Sequence, residues 1–369
     1  MNVPLVDLKT QYKSIKTEID TAIQSVIDEA AFIKGEYVQQ FERSYAKSYG
    51  VKHVVSCANG TDAIYITLKA LGIGLGDEVI TTAFTWISTA EAVTQTGAKV
   101  VFVDIEPDYY SIDVEKIEEK ITKNTKVILP VHLYGHPANM DAIMSIAKKY
   151  GLYVVEDCAQ AHLAQWNGKN VGTFGVAGTF SFFPSKNLGA YGDAGCIVSD
   201  DGDFAVRARM FANHGSLIRH QHETTGINSR MDGIQAAILS VKLRHLDEWN
   251  NKRIMLAERY NKLLNGVILT PPTYGTAKHV FHLYVIRAEG RDDLRKRLSE
   301  NGIATGVHYP TPLPFLKAYS HLGCDPSDFL VARACSAQVI SIPMHPDLTG
   351  KTQDAVTDTI NLCLREQQQ

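Results

Sequence analysis

Thr179-Phe180-Ser181-Phe182-Phe183-Pro184-Ser185-Lys186-Asn187-Leu188-Gly189 runs as an apolar strand, breaks at a proline and delivers one lysine into a small polar loop. A primary amine attacks an aldehyde only when neutral. A lysine with an ordinary pKa of about 10.4 therefore needs burial or a neighbouring cation to react near neutrality. Taken alone, Lys186 also reads as a solvated loop residue, so the chain around it has to decide.

Upstream, Gly151-Leu152-Tyr153-Val154-Val155-Glu156 has the pattern of a buried strand and is followed by Asp157, 29 residues before Lys186. That places the Asp157 carboxylate at the C-terminal end of a strand, where open α/β sheets hold their ligands; the ordinary alternative is a helix cap. In His53-Val54-Val55-Ser56-Cys57-Ala58-Asn59-Gly60-Thr61-Asp62-Ala63 a short strand meets Asn-Gly and then a helical run. The free amides of that helix start would face an anion, with Thr61 and Ser181 adding hydroxyls, unless Asn59 or Thr61 is simply an N-cap. Trp86, just past the strand Glu78-Val79-Ile80, offers a flat face for a ring, although a lone tryptophan also suits a core. An amine for an aldehyde, an acid for a ring nitrogen, a cup for a phosphate and an aromatic cover together match one cofactor, pyridoxal 5′-phosphate (PLP).

The apolar segments Val79-Ile80, Val100–Val103, Val127–Val131, Tyr153–Val155, Thr179–Phe182 and Cys196–Val198 are continuous rather than alternating, so both faces of the sheet are covered. The fold class is α/β: a mostly parallel central sheet flanked by helices, with a smaller C-terminal α+β domain. The expected division is a large domain over 1–245, carrying an N-terminal helical segment, and a small one over 246–369. Ile15, Ile19, Ile23 and Ile27 predict a helix over about 12–30, and Ile234, Ala237, Ile238, Val241 and Leu246 a long one over about 230–264. Phe281–Ile286 reads as a half-exposed strand, Asp292–Asn301 as a helix ending before Gly302, and Gln367-Gln368-Gln369 as a frayed tail.

With 369 residues, 45% of them hydrophobic, and a formal net charge of −3, the chain is long enough for a large core and carries no electrostatic case for nucleic acid or an anionic membrane. No run approaches a membrane span, and six cysteines without C-x-x-C spacing suggest reduced core thiols and a cytoplasmic location. His214, His220 and His222 lack an acidic or cysteine partner at metal-ligand spacing, so no metal site is expected. Gly72-Ile73-Gly74-Leu75-Gly76 follows a helix rather than a strand and reads as a turn, not a dinucleotide loop. Glu115–Lys120 reads as a solvated helix face.

Several ordered stretches resemble the DegT/DnrJ/StrS family of PLP-dependent nucleotide-sugar aminotransferases, which have the fold type I architecture. They include Asn59-Gly60-Thr61-Asp62-Ala63, Gly76–Ile80, Val131-His132-Leu133-Tyr134-Gly135, Glu156–Ala161, Ser181–Lys186 with Gly192-Asp193-Ala194-Gly195, Gly226–Asp232 and Val307-His308-Tyr309-Pro310. The resemblance implies that Lys186 binds the cofactor as a Schiff base and shuttles the proton. It gives Asp157 the pyridine nitrogen, Gln160 the ring hydroxyl, and Gly60, Thr61 and Ser181 the phosphate. It further implies that Asn228 reaches the phosphate of the neighbouring subunit in a homodimer with shared sites, and that His308, Tyr309 and Arg230 approach the substrate. Leu163, where many members have glycine, and Pro314, where histidine often stands, depart from the family pattern.

Within the family, Asn213-His214-Gly215, Arg219–His222 and Ser341–Pro346 look most like enzymes that aminate C3 of a UDP-linked 2-acetamido-3-keto sugar for cell-surface polysaccharide, with L-glutamate as donor and pyridoxamine phosphate as the carrier between half-reactions. The alternatives are a dTDP-linked 3- or 4-keto-6-deoxy sugar as substrate, a PLP-dependent sugar dehydratase, whose branch has histidine in place of the lysine, and a non-catalytic PLP-binding regulator.

Overall fold

The computed structural model describes residues 2–272 and 275–367. Its strands are β1 (His53–Cys57), β2 (Glu78–Thr82), β3 (Lys99–Val103), β4 (Thr125–Leu129), β5 (Tyr153–Asp157), β6 (Gln165–Trp166), β7 (Lys169–Asn170), β8 (Ala177–Ser181), β9 (Gly195–Ser199), β10 (Ala277–Lys278), β11 (Tyr284–Arg287) and β12 (Val339–Ile342). Seven of them form the main sheet in the order β1-β9-β8-β5-β4-β2-β3, in which only β9 runs antiparallel to its neighbours. The continuous apolar runs belong to this sheet, and all five residues of β2 and of β9 are buried. Helices cover both faces, so an alternating pattern would have placed polar groups in a dry layer.

Topology brings the candidate residues to one edge. β5 ends at Asp157, β8 ends at Ser181, β2 is followed by Trp86, and β1 leads through Asn59 into the helix Gly60–Ala70. Because β1, β2, β5 and β8 point the same way, these ends converge beyond the carboxyl side of the sheet.

Four expectations about elements need correction. The N-terminal helix is two, Leu8–Ser14 and Lys16–Asp28; Ile15 and Ile19 pack against Ile238 and Val241, Val26 is buried, and Ile27 is exposed. The long helix breaks into Gly233–Leu243 and Leu246–Leu263. The last turn tightens, with Arg244 and His245 bonding three residues back, and both side chains reach Glu18. β11 is not half-exposed: Leu283 and Val285 pack into the core of the main sheet, while Tyr284 and Ile286 pack into a second cluster with Leu294, Leu298, Ile340 and Ile360. Glu115–Lys120 forms parts of two short 3₁₀ turns rather than a helix.

The small sheet β10-β6-β7 had no counterpart in the sequence reading. The helix read over Asp292–Asn301 is present as Arg291–Glu300. Gln367 ends the last helix, and Gln368 and Gln369 lie outside the described residues. Leu163 takes a φ of 61°, the left-handed region that favours glycine, and its amide donates to the Tyr49 hydroxyl at 2.8 Å.

Candidate active site

A cavity of about 640 Å³ opens at the carboxyl edge of the sheet. Gly60, Thr61, Trp86, Asp157, Gln160 and Ser181 line it, as do Lys186, His308 and Tyr309.

The anion cup follows from local sequence. Asn59 caps the helix Gly60–Ala70, its Oδ1 accepting the Asp62 amide at 2.8 Å, which leaves the first-turn amides of Gly60 and Thr61 without intrahelical acceptors. A Cβ on residue 60 would lie 2.6 Å from Ser181 Cβ, so the helix start and the end of β8 approach as closely as glycine allows. The Thr61 hydroxyl donates to Ser88 Oγ at 2.8 Å. Ser181 is fixed by its own carbonyl, which accepts from His162 Nε2 at 2.9 Å. With its proton on Nε2, His162 accepts the Tyr45 hydroxyl on Nδ1 at 3.0 Å.

Asp157 is buried, and its two oxygens each take one donor: Thr89 Oγ1 to Oδ2 at 2.8 Å and the Ala159 amide to Oδ1 at 3.1 Å. Burial raises its pKa above the usual carboxylate value, against those two hydrogen bonds and the Lys186 charge. Burial likewise lowers the Lys186 amine to about 8, opposed by the Asp157 carboxylate. No side-chain hydrogen bond holds the Lys186 amine among the described residues, so a neutral fraction is available near neutrality.

Gln160 bridges the floor of the cavity: its Oε1 accepts the Tyr134 amide at 2.6 Å and its Nε2 donates to the Tyr309 hydroxyl at 3.1 Å. Trp86 is 57% exposed and stands 5.7 Å from the Tyr309 ring, so it is a rim rather than a core residue. His308 bonds Ser341 Oγ through Nδ1 at 2.8 Å, and burial, then Lys186, lower its pKa to about 4.

Two candidates lie elsewhere. Arg230 lines a second cavity of about 200 Å³ with Lys34 and Arg209, and Asn228 is exposed beside Asn213. Neither lines the Lys186 cavity of its own chain.

Sequence reasoning passed over Thr89, which holds Asp157, and His282, which is buried in the cavity wall and kept neutral by burial and by Lys186. Thr89 stood at the end of the Trp86 stretch and could have been read as its partner. His282 carries no pattern of its own. The histidines at 214, 220 and 222 are exposed, with His222 Nδ1 facing the His214 carbonyl at 2.8 Å. A tighter cluster joins His132, Glu156 and Cys158, but Glu156 already takes the amides of Gly172, Phe174 and Gly175 besides His132.

PLP fits these residues. The glycine-lined helix start suits its phosphate, the buried Asp157 carboxylate suits a protonated ring nitrogen, and the Lys186 amine suits its aldehyde. Fold and site together define the class: a fold type I enzyme working through PLP. The profile of the DegT/DnrJ/EryC1/StrS aminotransferase family matches residues 13–361, and the chain belongs to that family of PLP-dependent sugar aminotransferases.

Among its relatives, a "Pleiotropic regulatory protein" of Geobacillus stearothermophilus is 46% identical, with 98% of each chain covered. UDP-N-acetyl-3-dehydro-alpha-D-glucosamine 3-aminotransferase of Acidithiobacillus ferrooxidans is 44% identical, covering 94% of each. The dTDP-3-amino-3,4,6-trideoxy-alpha-D-glucose transaminase of Streptomyces venezuelae is 41% identical, covering 97% of this chain and 95% of its own. The crystal structure of S. venezuelae DesV superposes with a TM-score of 0.96 at 40% identity, covering 98% of each chain.

Proposed function

We propose that the protein transfers the amino group of L-glutamate to C3 of a UDP-linked 2-acetamido-3-keto sugar, acting in the cytoplasm as a homodimer in cell-surface polysaccharide synthesis. The observation that carries the amino-transfer reading is the Lys186 amine, lowered to about 8, in a cavity with the buried Asp157 carboxylate and the Gly60–Thr61 cup. PLP supplies an aldehyde for the amine and a ring that stabilises negative charge on the reacting carbon. Asp157 holds positive charge on the ring nitrogen by electrostatics. Gly60, Thr61 and Ser181 hold the phosphate, and Trp86 covers the ring. Lys186 Nζ would take the proton from the α-carbon of the donor and deliver it to the former aldehyde carbon of the cofactor, on the other side of the transferred nitrogen; with the keto-sugar it would move the proton in the opposite direction. His308 and Tyr309 orient the sugar. Gln160 orients the ring hydroxyl, and Asn228 and Arg230 act in the neighbouring subunit's site.

Amination at C3 is supported by relatives of both nucleotide types, whose names place the amine at that carbon. The UDP choice rests on the 44% and 42% identical UDP-sugar relatives, against 41% for two dTDP-sugar enzymes. A dTDP-linked keto-6-deoxy sugar is the alternative substrate. A second reading, a PLP-binding regulator without turnover, is favoured by the name of the 46% identical relative. Lys186 stands against a dehydratase of the histidine-bearing branch.

The deciding experiment loads the protein with pyridoxamine phosphate, offers UDP- and dTDP-keto-sugars, and follows the return of the cofactor's visible absorbance. Return only with dTDP sugars refutes the UDP choice. No return with any keto-sugar, together with cofactor binding that depends on Lys186, refutes the enzyme reading in favour of the regulator.

A further inference from the structure

The loop that carries Lys186 is clamped from behind by one helix face. Lys186 and Ala190 close the loop on itself, their amides donating to the Phe183 and Phe182 carbonyls at 2.8 Å each. A Cβ on residue 189 would fall 2.3 Å from the Pro184 carbonyl oxygen, so the turn is as tight as glycine permits. Its outer side meets the helix Gly233–Leu243. There Lys242 Nζ donates to the Gly189 carbonyl at 2.7 Å, and Gln235 Oε1 accepts the Tyr191 amide at 2.8 Å. The two side chains stand seven residues apart, two turns on one face of the helix.

Lys242 is unusual for a contact of this kind. It is fully buried, and no carboxylate pairs with it among the described residues; its second neighbour is the Tyr191 ring, 4.2 Å from Nζ to the centroid. Burying an ammonium without a counter-ion is costly, and an apolar side chain of that length would fill the same space more favourably. What only the amine provides is a donor for the Gly189 carbonyl, whether it is charged or neutral.

We propose that Lys242, with Gln235 two turns earlier, is a positioning residue that sets how deeply the loop seats the Lys186 amine in the cavity wall, and thereby how much of that amine is neutral. The proposal rests on Lys186 being the reactive amine. Burial is the larger influence on the Lys186 amine and Asp157 is the charge acting on it, so Lys242 works through the loop and not through its own charge. Burial pushes Lys242 itself down to about 7.

The test uses the full chain freed of cofactor, in which the Lys186 amine is free. Competitive acylation across pH, read at Lys186 by mass spectrometry, gives the midpoint of that amine in the wild type, Lys242→Met and Gln235→Leu. Circular dichroism confirms that each variant is folded.

The expected result is a wild-type midpoint near 8. In both variants it rises by about one pH unit, which cuts the neutral fraction at pH 8 about fivefold. kcat at pH 8 falls by the same factor of about five, while KM for donor and keto-sugar stays within about twofold. If Lys242→Met fails to fold, Gln235→Leu, which leaves the buried lysine in place, decides by the same titration. A folded variant with the wild-type midpoint overturns the proposal even if its kcat falls, because loss of rate alone marks a merely structural role. A Lys186 with a midpoint near that of a free lysine in the wild type would instead overturn the reading of Lys186 as the reactive amine.

Discussion

Gly60→Ala tests the anion cup at its tightest point. The new methyl would sit 2.6 Å from Ser181 Cβ and 3.2 Å from both Ser181 Cα and Ser181 Oγ. Two carbon atoms prefer a separation of about 3.5–4.0 Å, so the helix start and the end of β8 must part by about 1 Å. Ser181 cannot yield alone, because its carbonyl is tied to His162 and its strand is held in register on β9, with Ser181 opposite Gly195. The displacement falls on the Gly60 and Thr61 amides and on the Ser181 hydroxyl, the donors a phosphate would use.

Overpacking of this kind costs about 1–3 kcal/mol. If the cost appears only when the cup must close on the phosphate, PLP binding weakens about 5- to 150-fold, at about 1.4 kcal/mol per factor of ten. The assay titrates cofactor-free protein with PLP and, separately, with pyridoxal, which has the same ring and aldehyde but no phosphate. Lys186 and Asp157 are untouched, so pyridoxal affinity should change by less than about twofold. The preference for PLP over pyridoxal should therefore shrink. Equal weakening for both ligands would mean that the substitution disturbs the whole edge of the sheet. Unchanged PLP affinity would refute the placement of the phosphate at residue 60.

Asp157→Asn keeps the shape and the Thr89 and Ala159 neighbours but removes the charge, so kcat should fall about 10²-fold or more under steady-state assay, with folding preserved. The Lys186 amine is held at about 8 in the folded chain against a reference of 10.5, so the unfolded chain binds more protons between those values. In cofactor-free protein, Lys186→Met should therefore be more stable than wild type by about 3 kcal/mol below pH 8, with the advantage fading as pH rises toward 10.5; denaturant melts of the pair across pH check this. Mixing inactive Lys186→Ala with inactive Asn228→Ala subunits should restore about a quarter to a half of the activity if sites are shared, and no recovery in verified mixed dimers refutes sharing.

The main sheet and its edge were legible because their physics is local. A strand buried on both faces must be continuously apolar, and a residue just past its carboxyl end must face the ligand side, so Asp157, Ser181 and Trp86 were placed by counting along the chain. What sequence reading missed depends on partners far away in it. The break at Arg244 and His245 is stabilised by Glu18, more than two hundred residues earlier, and nothing between residues 230 and 264 announces it. β11 looked half-exposed because Phe281–Ile286 mixes polar and apolar residues, yet each face meets a different core. The same misreading hid His282, which enters the cavity only because that segment folds back against the main sheet. Glycine at position 60 showed as part of a helix start; that it is demanded by Ser181 could not be read 121 residues away.

Glu156 and Asp157 show how one strand separates structure from chemistry. Successive side chains on β5 point to opposite faces, so the two carboxylates never compete for the same donors. Glu156 is saturated: Oε1 accepts from the Phe174 and Gly175 amides at 2.7 and 2.9 Å, and Oε2 from the Gly172 amide at 2.7 Å and His132 at 3.1 Å. His132 Nδ1 accepts the Ala138 amide at 3.0 Å, which puts the imidazole proton on Nε2 and makes it a donor to Glu156. Those bonds tie the loop after β7 and the loop after β4 to the middle of the sheet, and they use every lone pair direction of the acid. Asp157 receives one donor per oxygen and keeps half its acceptor capacity, and burial works against its charge. A carboxylate in that condition gains most from a cation placed beside it, whereas one already saturated gains little. The protonated ring nitrogen of PLP is such a cation, so the strand directs its one undersatisfied acid toward the cavity and locks the other into the fold.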